Sequence, residues 1–387
     1  MRFTLTLCFL ALFPVTLPAA FPDVEELYRD SHAAVFQLVD LPEETPRGSG
    51  FLAGPDGLAV TNAHVLRGAE ELQARFPGGK KRAIEVLAKD RGTDLGLLRI
   101  PDVDREPLVL SPREIRTGEA VFSVASPHGF VNSLSVGHVS AVDRQFPDEP
   151  VIPYLQVELG VHPGSSGGPV LNDAGEVVGV LTQVVAGEDG RVALSFALPS
   201  WLVVRVLGHL TPDDGREPGW LGLELEAGPT HLKVDGLAAG GPAEQAGLDR
   251  EDRLLPLGGV PVSRARFQSE LLRPDAGQPV TVLRISESEV ALLTLWPQPV
   301  SEIYRNLPVQ GARVRPAASV EPKVEVVEAN AGGVLEPGDR LSRMGSERLL
   351  SPEMLDSELQ NAGDEGVAVL IHRDGDRFYE VLRPEDE

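Results

Sequence analysis

The stretch Pro163-Gly164-Ser165-Ser166-Gly167-Gly168-Pro169-Val170 decides the reading, together with two shorter patterns upstream of it. One is Val60-Thr61-Asn62-Ala63-His64-Val65-Leu66, preceded by Gly48-Ser49-Gly50-Phe51; the other is Thr93-Asp94-Leu95-Gly96-Leu97-Leu98. A serine hydroxyl is a weak nucleophile until a base takes its proton, and histidine has an ordinary pKa suited to that task. The histidine needs a carboxylate on its other ring nitrogen, which holds the tautomer and stabilises the imidazolium. Glycines on both sides of the serine let the backbone turn sharply, so that N–H groups can face a developing oxyanion. His64, Asp94 and Ser166 supply these parts.

Around them the chain reads as short apolar strands separated by Gly, Pro and Asp turns, from Ala34-Val35-Phe36-Gln37-Leu38-Val39 to about residue 205. That pattern predicts a β-barrel or sandwich, with a short helix over Trp201 to Leu210 closing the unit and a linker from Thr211 to Pro218. The order His, Asp, Ser is that of chymotrypsin-like folds. Gly164-Ser165-Ser166-Gly167-Gly168 also satisfies the Gly-x-Ser-x-Gly elbow of α/β-hydrolases. That fold places its acid and histidine after the serine and needs long helices, which this sequence lacks. Ser165 is the competing nucleophile and Asp90 the competing acid, but Asp90 has no apolar strand directly behind it. His162, four residues before Ser166, is read as a surface or loop-packing residue.

Length and charge narrow the classes further. At 387 residues there is room for two or three domains. A formal charge of −23 opposes nucleic acid and anionic membranes as partners. The Lys80-Lys81-Arg82 cluster follows Pro77-Gly78-Gly79 and reads as a hairpin tip. Arg2, the apolar run Leu5 to Leu17 and Pro18-Ala19-Ala20 predict a signal peptide over residues 1–20, shorter than a comfortable membrane span. The one cysteine, Cys8, lies inside it, so the processed chain would have no disulfide, which suits a bacterial envelope protein. No later stretch is apolar enough to span a membrane. No metal-ligand cluster and no phosphate-binding loop is found, so neither metal nor cofactor is expected.

The C-terminal half repeats itself. Glu251-Asp252-Arg253-Leu254 recurs as Gly338-Asp339-Arg340-Leu341, and Val280-Thr281-Val282-Leu283 as Val367-Ala368-Val369-Leu370, both at a separation of 87 residues. Ser269-Glu270-Leu271 recurs 88 residues on as Ser357-Glu358-Leu359. Two copies of one α/β module follow, over 217–298 and 303–385.

These motifs resemble the HtrA/DegP family of trypsin-like serine proteases of the bacterial envelope. Ala125-Ser126-Pro127-His128-Gly129 and Ser135-Val136-Gly137-His138-Val139-Ser140 stand at the family's Gly-Asn-Pro-Phe-Gly turn and Ser-Gly-Ile-Val-Ser strand, and Phe196-Ala197-Leu198-Pro199 beside its specificity pocket. The resemblance implies a mainly β chain: a two-barrel, chymotrypsin-like protease domain over 21–210, then two PDZ-like α/β modules, the second degenerate. It implies His64 as general base, Asp94 as its orienting carboxylate, Ser166 as nucleophile, and the N–H groups of Gly164 and Ser166 as oxyanion hole. Gly160 stands where trypsin-like enzymes place an acid for basic substrates, and Val161 and Phe196 suggest an apolar pocket that selects Val, Ala or Leu. Ser165 and Glu158-Leu159-Gly160 depart from the family's Asn and Asp-Ala-Ala, which bears on the resting conformation of the loop. The long insertion of some members is absent between Val39 and Phe51. In the first module Trp220-Leu221-Gly222-Leu223 would receive a peptide carboxylate, and Phe267 and Leu271 would line a pocket for peptides with apolar C-termini. In the second, Val309-Gln310-Gly311-Ala312 is less apolar, which predicts a role chiefly in assembly or domain contacts. Protein substrates, a homotrimer and a periplasmic or secreted location follow from the same resemblance. The competing reading is a proteolytically silent chaperone or scaffold of the same fold.

Overall fold

The computed structural model describes residues 24–383 except 70, 91, 147–151, 187–191, 212–215, 229, 258–263, 273, 287–288, 301–304, 307–312, 317–323, 330–333, 345–346, 350, 363–365 and 374–375. The expected signal peptide and the second module's loop Val309–Ala312 lie outside the described residues. The amphipathic opening forms α1 (Val24–Ser31), with Glu25 and Glu26 in its first turn, where the helix dipole favours acids. The apolar runs that follow are too short for helices and pair as antiparallel strands. They are β1 (Val35–Asp40), β2 (Thr45–Leu52), β3 (Leu58–Asn62), β4 (Leu72–Arg75), β5 (Lys81–Ala83), β6 (Glu85–Asp90) and β7 (Leu95–Arg99). Their order, β5-β4-β1-β2-β3-β7-β6, leaves the ladder open between β5 and β6. The Lys80–Arg82 cluster sits at the β4–β5 hairpin, as its glycines predict.

The next six strands close a complete barrel: β8 (Ala120–Ala125), β9 (Ser133–Arg144), β10 (Tyr154–Glu158), β11 (Pro169–Leu171), β12 (Val177–Ala186) and β13 (Val192–Pro199), in the order β10-β13-β12-β11-β8-β9. The expected closing helix is α2 (Ser200–Leu210), which buries Leu202, Val203, Val206 and Leu207. One apolar core runs through the first half and into the second, from Phe36, Phe51 and Leu97 to Phe122, Val124 and Leu198. Phe36 fits because position 50 is glycine: a Cβ there would come within 2.6 Å of its ring. The chain enters the barrel over a turn in which Arg113 and Arg116 both hold the Glu119 carboxylate. The Arg113 hydrogen bond first, then that from Arg116, lowers the Glu119 pKa to about 2.

The two C-terminal modules are built alike. The first has β14 (Gly219–Trp220), β15 (Leu223–Ala227), β16 (Leu232–Leu237), α3 (Pro242–Gln245), β17 (Arg253–Pro256), α4 (Arg264–Leu272), β18 (Val280–Ile285), β19 (Val290–Leu295) and β20 (Gln298–Pro299). Its main sheet runs β15-β16-β17-β18-β19, with β14 paired to β20. In the second, Arg340–Met344 and Val367–Arg373 are the counterparts of β17 and β18, and α5 (Pro352–Ala362) that of α4. Each module has its own core. The repeated Asp has a physical cause. Buried Asp252 and Asp339 each accept the backbone N–H three residues earlier, from Asp249 and Glu336, at 2.9 Å in both. Contacts between α4 and the protease half come from Arg266, which lies 5.0 Å over the Trp201 ring and pairs with Glu114.

Two outcomes are expected. Phe36→Ala should cost about 3–5 kcal/mol of stability, read from its denaturation midpoint, because the strands around it cannot collapse into the void. Glu119→Gln should cost about 0.5–1 kcal/mol at neutral pH, the scale of a partly exposed ion pair. Its folded carboxyl titrates below the ordinary 4.5, so the contribution is complete above pH 4.5 and is lost as pH falls through about 2. Chemical denaturation across that range should find the gap between wild type and variant narrowing with acid.

Candidate active site

The three sequence motifs converge at the seam between the two halves. His64 opens a short 3-10 turn (His64–Leu66) directly after β3, and Asp94 stands one residue before β7, the neighbour of β3 in the sheet. Asp94 has a left-handed backbone, φ 59°, which Asp tolerates better than most residues. Its carbonyl accepts the Ala63 N–H and the Asn62 side-chain amide, both at 3.0 Å. This conformation turns the carboxylate toward His64: Oδ2 lies 2.6 Å from Nδ1, and Oδ1 accepts the His64 backbone N–H at 2.8 Å. Thr182 Oγ1 on β12 donates to the same Oδ2 at 2.9 Å. With Nδ1 facing the carboxylate, Nε2 is the ring nitrogen left for a proton from a nucleophile.

Ser166 is half-buried, whereas Ser165 is only 3% exposed and its hydroxyl accepts the His162 N–H at 3.4 Å. Asp90 accepts from Gly92 N–H and Thr93 Oγ1 and so caps the turn that leads to Asp94. Both competitors are therefore committed to their own loops. No hydrogen bond joins Ser166 Oγ to His64; the hydroxyl makes a long contact, 3.5 Å, with the Thr182 carbonyl. Gly164 has φ 98°, and a Cβ there would meet the Ser126 carbonyl oxygen at 2.6 Å, so only glycine fits. Among the described residues, neither the Gly164 nor the Ser166 backbone N–H has a protein acceptor.

Two contributors escaped the sequence reading. Ser49, fully buried on β2, donates its hydroxyl to the Gly164 carbonyl at 2.7 Å and accepts the Ser126 N–H at 2.9 Å. Its backbone N–H bonds the Ser166 carbonyl at 2.8 Å. The flanking glycines were a signal for close approach, since a Cβ at Gly48 would lie 3.0 Å from the Ser166 carbonyl oxygen. Thr182 lies far along the chain in an ordinary strand sequence, and nothing local marks it.

The expected pocket residues fare differently. Gly160 is exposed. Val161 is buried in the barrel core, 5% exposed. Phe196, expected to line the pocket, is 4% exposed and packs edge-on against Phe146 and Tyr154, ring centres 4.9 and 6.3 Å away. In the first module Leu221, Leu223, Phe267 and Leu271 do come together, but as the module's own core. Gln268 of α4 donates its side-chain amide to the Leu225 carbonyl at 3.2 Å, on the edge of β15 not paired with β16. Trp220 is half-buried beside Gly222, φ 70°. Phe267 also borders a cavity of about 330 Å³ with Leu232, Leu254 and Leu283.

Residues 48–180 match the family of trypsin-like peptidase domains. The chain is 31% identical over 378 residues to a probable periplasmic serine endoprotease, DegP-like, of Halomonas elongata, covering 88% of this chain and 79% of that one. It is 29% identical over 352 residues to a protein of the same description from Pseudomonas putida, covering 88% and 69%. Among solved structures, the HtrA-type protease AlgW with a tripeptide superposes with a TM-score of 0.59 at 24% identity, over 72% of this chain and 97% of that one. The serine endoprotease from Yersinia pestis superposes with a TM-score of 0.53 at 23% identity, over 73% and 99%. The polarised histidine, the glycine-framed serine and these likenesses together make the chain a serine endopeptidase belonging to the HtrA/DegP family of trypsin-like proteases.

Proposed function

We propose that the protein hydrolyses peptide bonds through an acyl-enzyme, with Ser166 as nucleophile, His64 as general base and Asp94 as the group that orients it. The observation that carries this is the His64–Asp94 pair at 2.6 Å, beside a half-exposed Ser166 in a site whose alternative serine is buried. After rotation of its side chain, Ser166 Oγ attacks the substrate carbonyl carbon while its proton passes to His64 Nε2. The negative charge on the former carbonyl oxygen is received by the N–H groups of Gly164 and Ser166, which have no protein acceptor among the described residues. His64 returns the proton to the leaving amine, and water repeats the sequence on the ester. The resting Ser166 rotamer is compatible with this, because catalytic hydrogen bonds often tighten only with substrate bound.

The substrates are unfolded or specific proteins of the cell envelope, cleaved after apolar residues such as Val, Ala or Leu. Exposed Gly160 supports that preference, because no acid stands at position 160 to recruit a basic side chain. The modules over 217–298 and 303–385 are PDZ-like. The first takes peptides with free apolar C-termini by strand addition to β15, which requires Gln268 to release the Leu225 carbonyl. The second, less apolar at its loop, serves assembly. A periplasmic location after removal of about residues 1–20 is supported by the relatives' description as periplasmic. Among the described residues no helix is long and apolar enough to cross a membrane. A homotrimer through the protease domains follows from the family, and exposed Phe130, Leu134 and Val136 offer an apolar surface for it.

Casein degradation tests the assignment. Ser166→Ala and His64→Ala should abolish it, while Ser165→Ala keeps substantial activity. The reverse pattern at the two serines would overturn the nucleophile, and products cut mainly after Arg or Lys would overturn the apolar pocket. Thr182→Val should lower kcat/KM about tenfold without lowering the melting temperature, because Asp94 loses one charge-assisted hydrogen bond of about 1.5 kcal/mol.

A further inference from the structure

His128 and His162 play no part in the chemistry above, yet their rings face each other at the edge of the oxyanion loop. Their centroids lie 5.3 Å apart with the planes inclined by 37°, and both side chains are exposed. The segments that carry them are held independently of the rings. His128, φ 50°, lies in the tight turn Pro127–Gly129, and its backbone N–H donates to the Pro163 carbonyl at 2.7 Å. The His162 carbonyl accepts the Ser165 N–H at 2.9 Å, and its N–H donates to Ser165 Oγ at 3.4 Å. Two imidazoles are thus presented on a fixed frame, one residue on either side of the Pro163–Gly164 turn's anchoring bonds.

Imidazole nitrogens are ligands of choice for zinc and its neighbours among the transition metals. Two imidazoles on one tetrahedral zinc, each nitrogen at about 2.0–2.1 Å, place their ring centres about 5 Å apart. The observed centroid separation, 5.3 Å, matches that spacing. We propose that His128 and His162 form a binding site for a divalent transition metal, zinc in the first instance, which ties the Pro127–Gly129 turn to the oxyanion loop and restrains catalysis. Among the described residues no group of three or more His, Cys, Asp and Glu side chains converges, so water completes the coordination and the metal exchanges freely. The restraint has a geometric origin. The metal would add a second link, beside the bond from His128 N–H to the Pro163 carbonyl, between Pro127–Gly129 and the segment that carries Gly164.

The test is calorimetric titration of the full chain with zinc chloride, in buffer free of chelators and phosphate, on wild type, His128→Ala, His162→Ala and His64→Ala. Wild type and His64→Ala should bind one equivalent with the same affinity, and loss of either His128 or His162 should weaken that binding at least about tenfold. Unchanged affinity in His128→Ala and His162→Ala, or loss confined to His64→Ala, would overturn the site. Peptide hydrolysis gives the second measurement: kcat/KM of wild type should fall with the zinc dependence of the calorimetric titration, and both substituted proteins should lose that response while keeping their zinc-free activity. Zinc binding at these histidines with no change in kcat/KM would overturn the coupling to the loop. The calorimetry reads binding whether or not Ser166 is the nucleophile, so the two readings fail separately.

Discussion

The seam between β2 and the serine loop is the constraint on which the rest of the site depends. Ser49 makes three hydrogen bonds there: backbone N–H to the Ser166 carbonyl, hydroxyl to the Gly164 carbonyl, and hydroxyl oxygen from the Ser126 N–H. The Gly164 and Ser166 carbonyls are thereby satisfied, while among the described residues the N–H groups of the same two residues have no protein acceptor. Ser49 is fully buried, so each of these bonds forms where an unpaired polar group would be costly. Gly48, Gly164 and Gly167 make the approach possible. At Gly167 a Cβ would lie 2.2 Å from the Ser49 carbonyl oxygen.

Asp94 is the second fixed point, and it belongs to the first half as Ser166 belongs to the second. Its carboxylate receives the His64 ring and backbone from its own half and the Thr182 hydroxyl from the other. The His–Asp pair is therefore tied across the seam before any substrate arrives. Ser166 is the member still free to rotate. Under the proposed roles, the base and its orienting carboxylate are held by hydrogen bonds from both halves, while the Ser166 hydroxyl makes only a long contact with the Thr182 carbonyl.

The C-terminal modules show how a repeat can share a frame and diverge at its surface. Asp252 and Asp339 hold equivalent turns, and the strands and helices that follow keep the same spacing. The first module fills the space between α4 and β15 with Leu223, Phe267 and Leu271, and caps the strand edge with Gln268.

Much of this was legible in the chain alone. Strand-length apolar runs between turn residues require a β architecture, and the repeat is visible as identical turns at a constant spacing. The order of His64, Asp94 and Ser166, each in its own local pattern, points to one chemistry because few other arrangements need all three. Ser49 and Thr182 could not be read in the same way. Each acts through a hydrogen bond to a residue about 80 to 120 positions away; the glycines beside Ser49 signal a close approach without naming its partner, and nothing local marks Thr182. The same limit applies to Phe196 and Phe267, read as pocket lining: sequence reports that a side chain is apolar, while its tertiary neighbours decide how much of it packs in a core and how much borders a cavity. The facing of His128 and His162 is likewise decided by tertiary structure, because it depends on the hydrogen bond that brings two separate turns together.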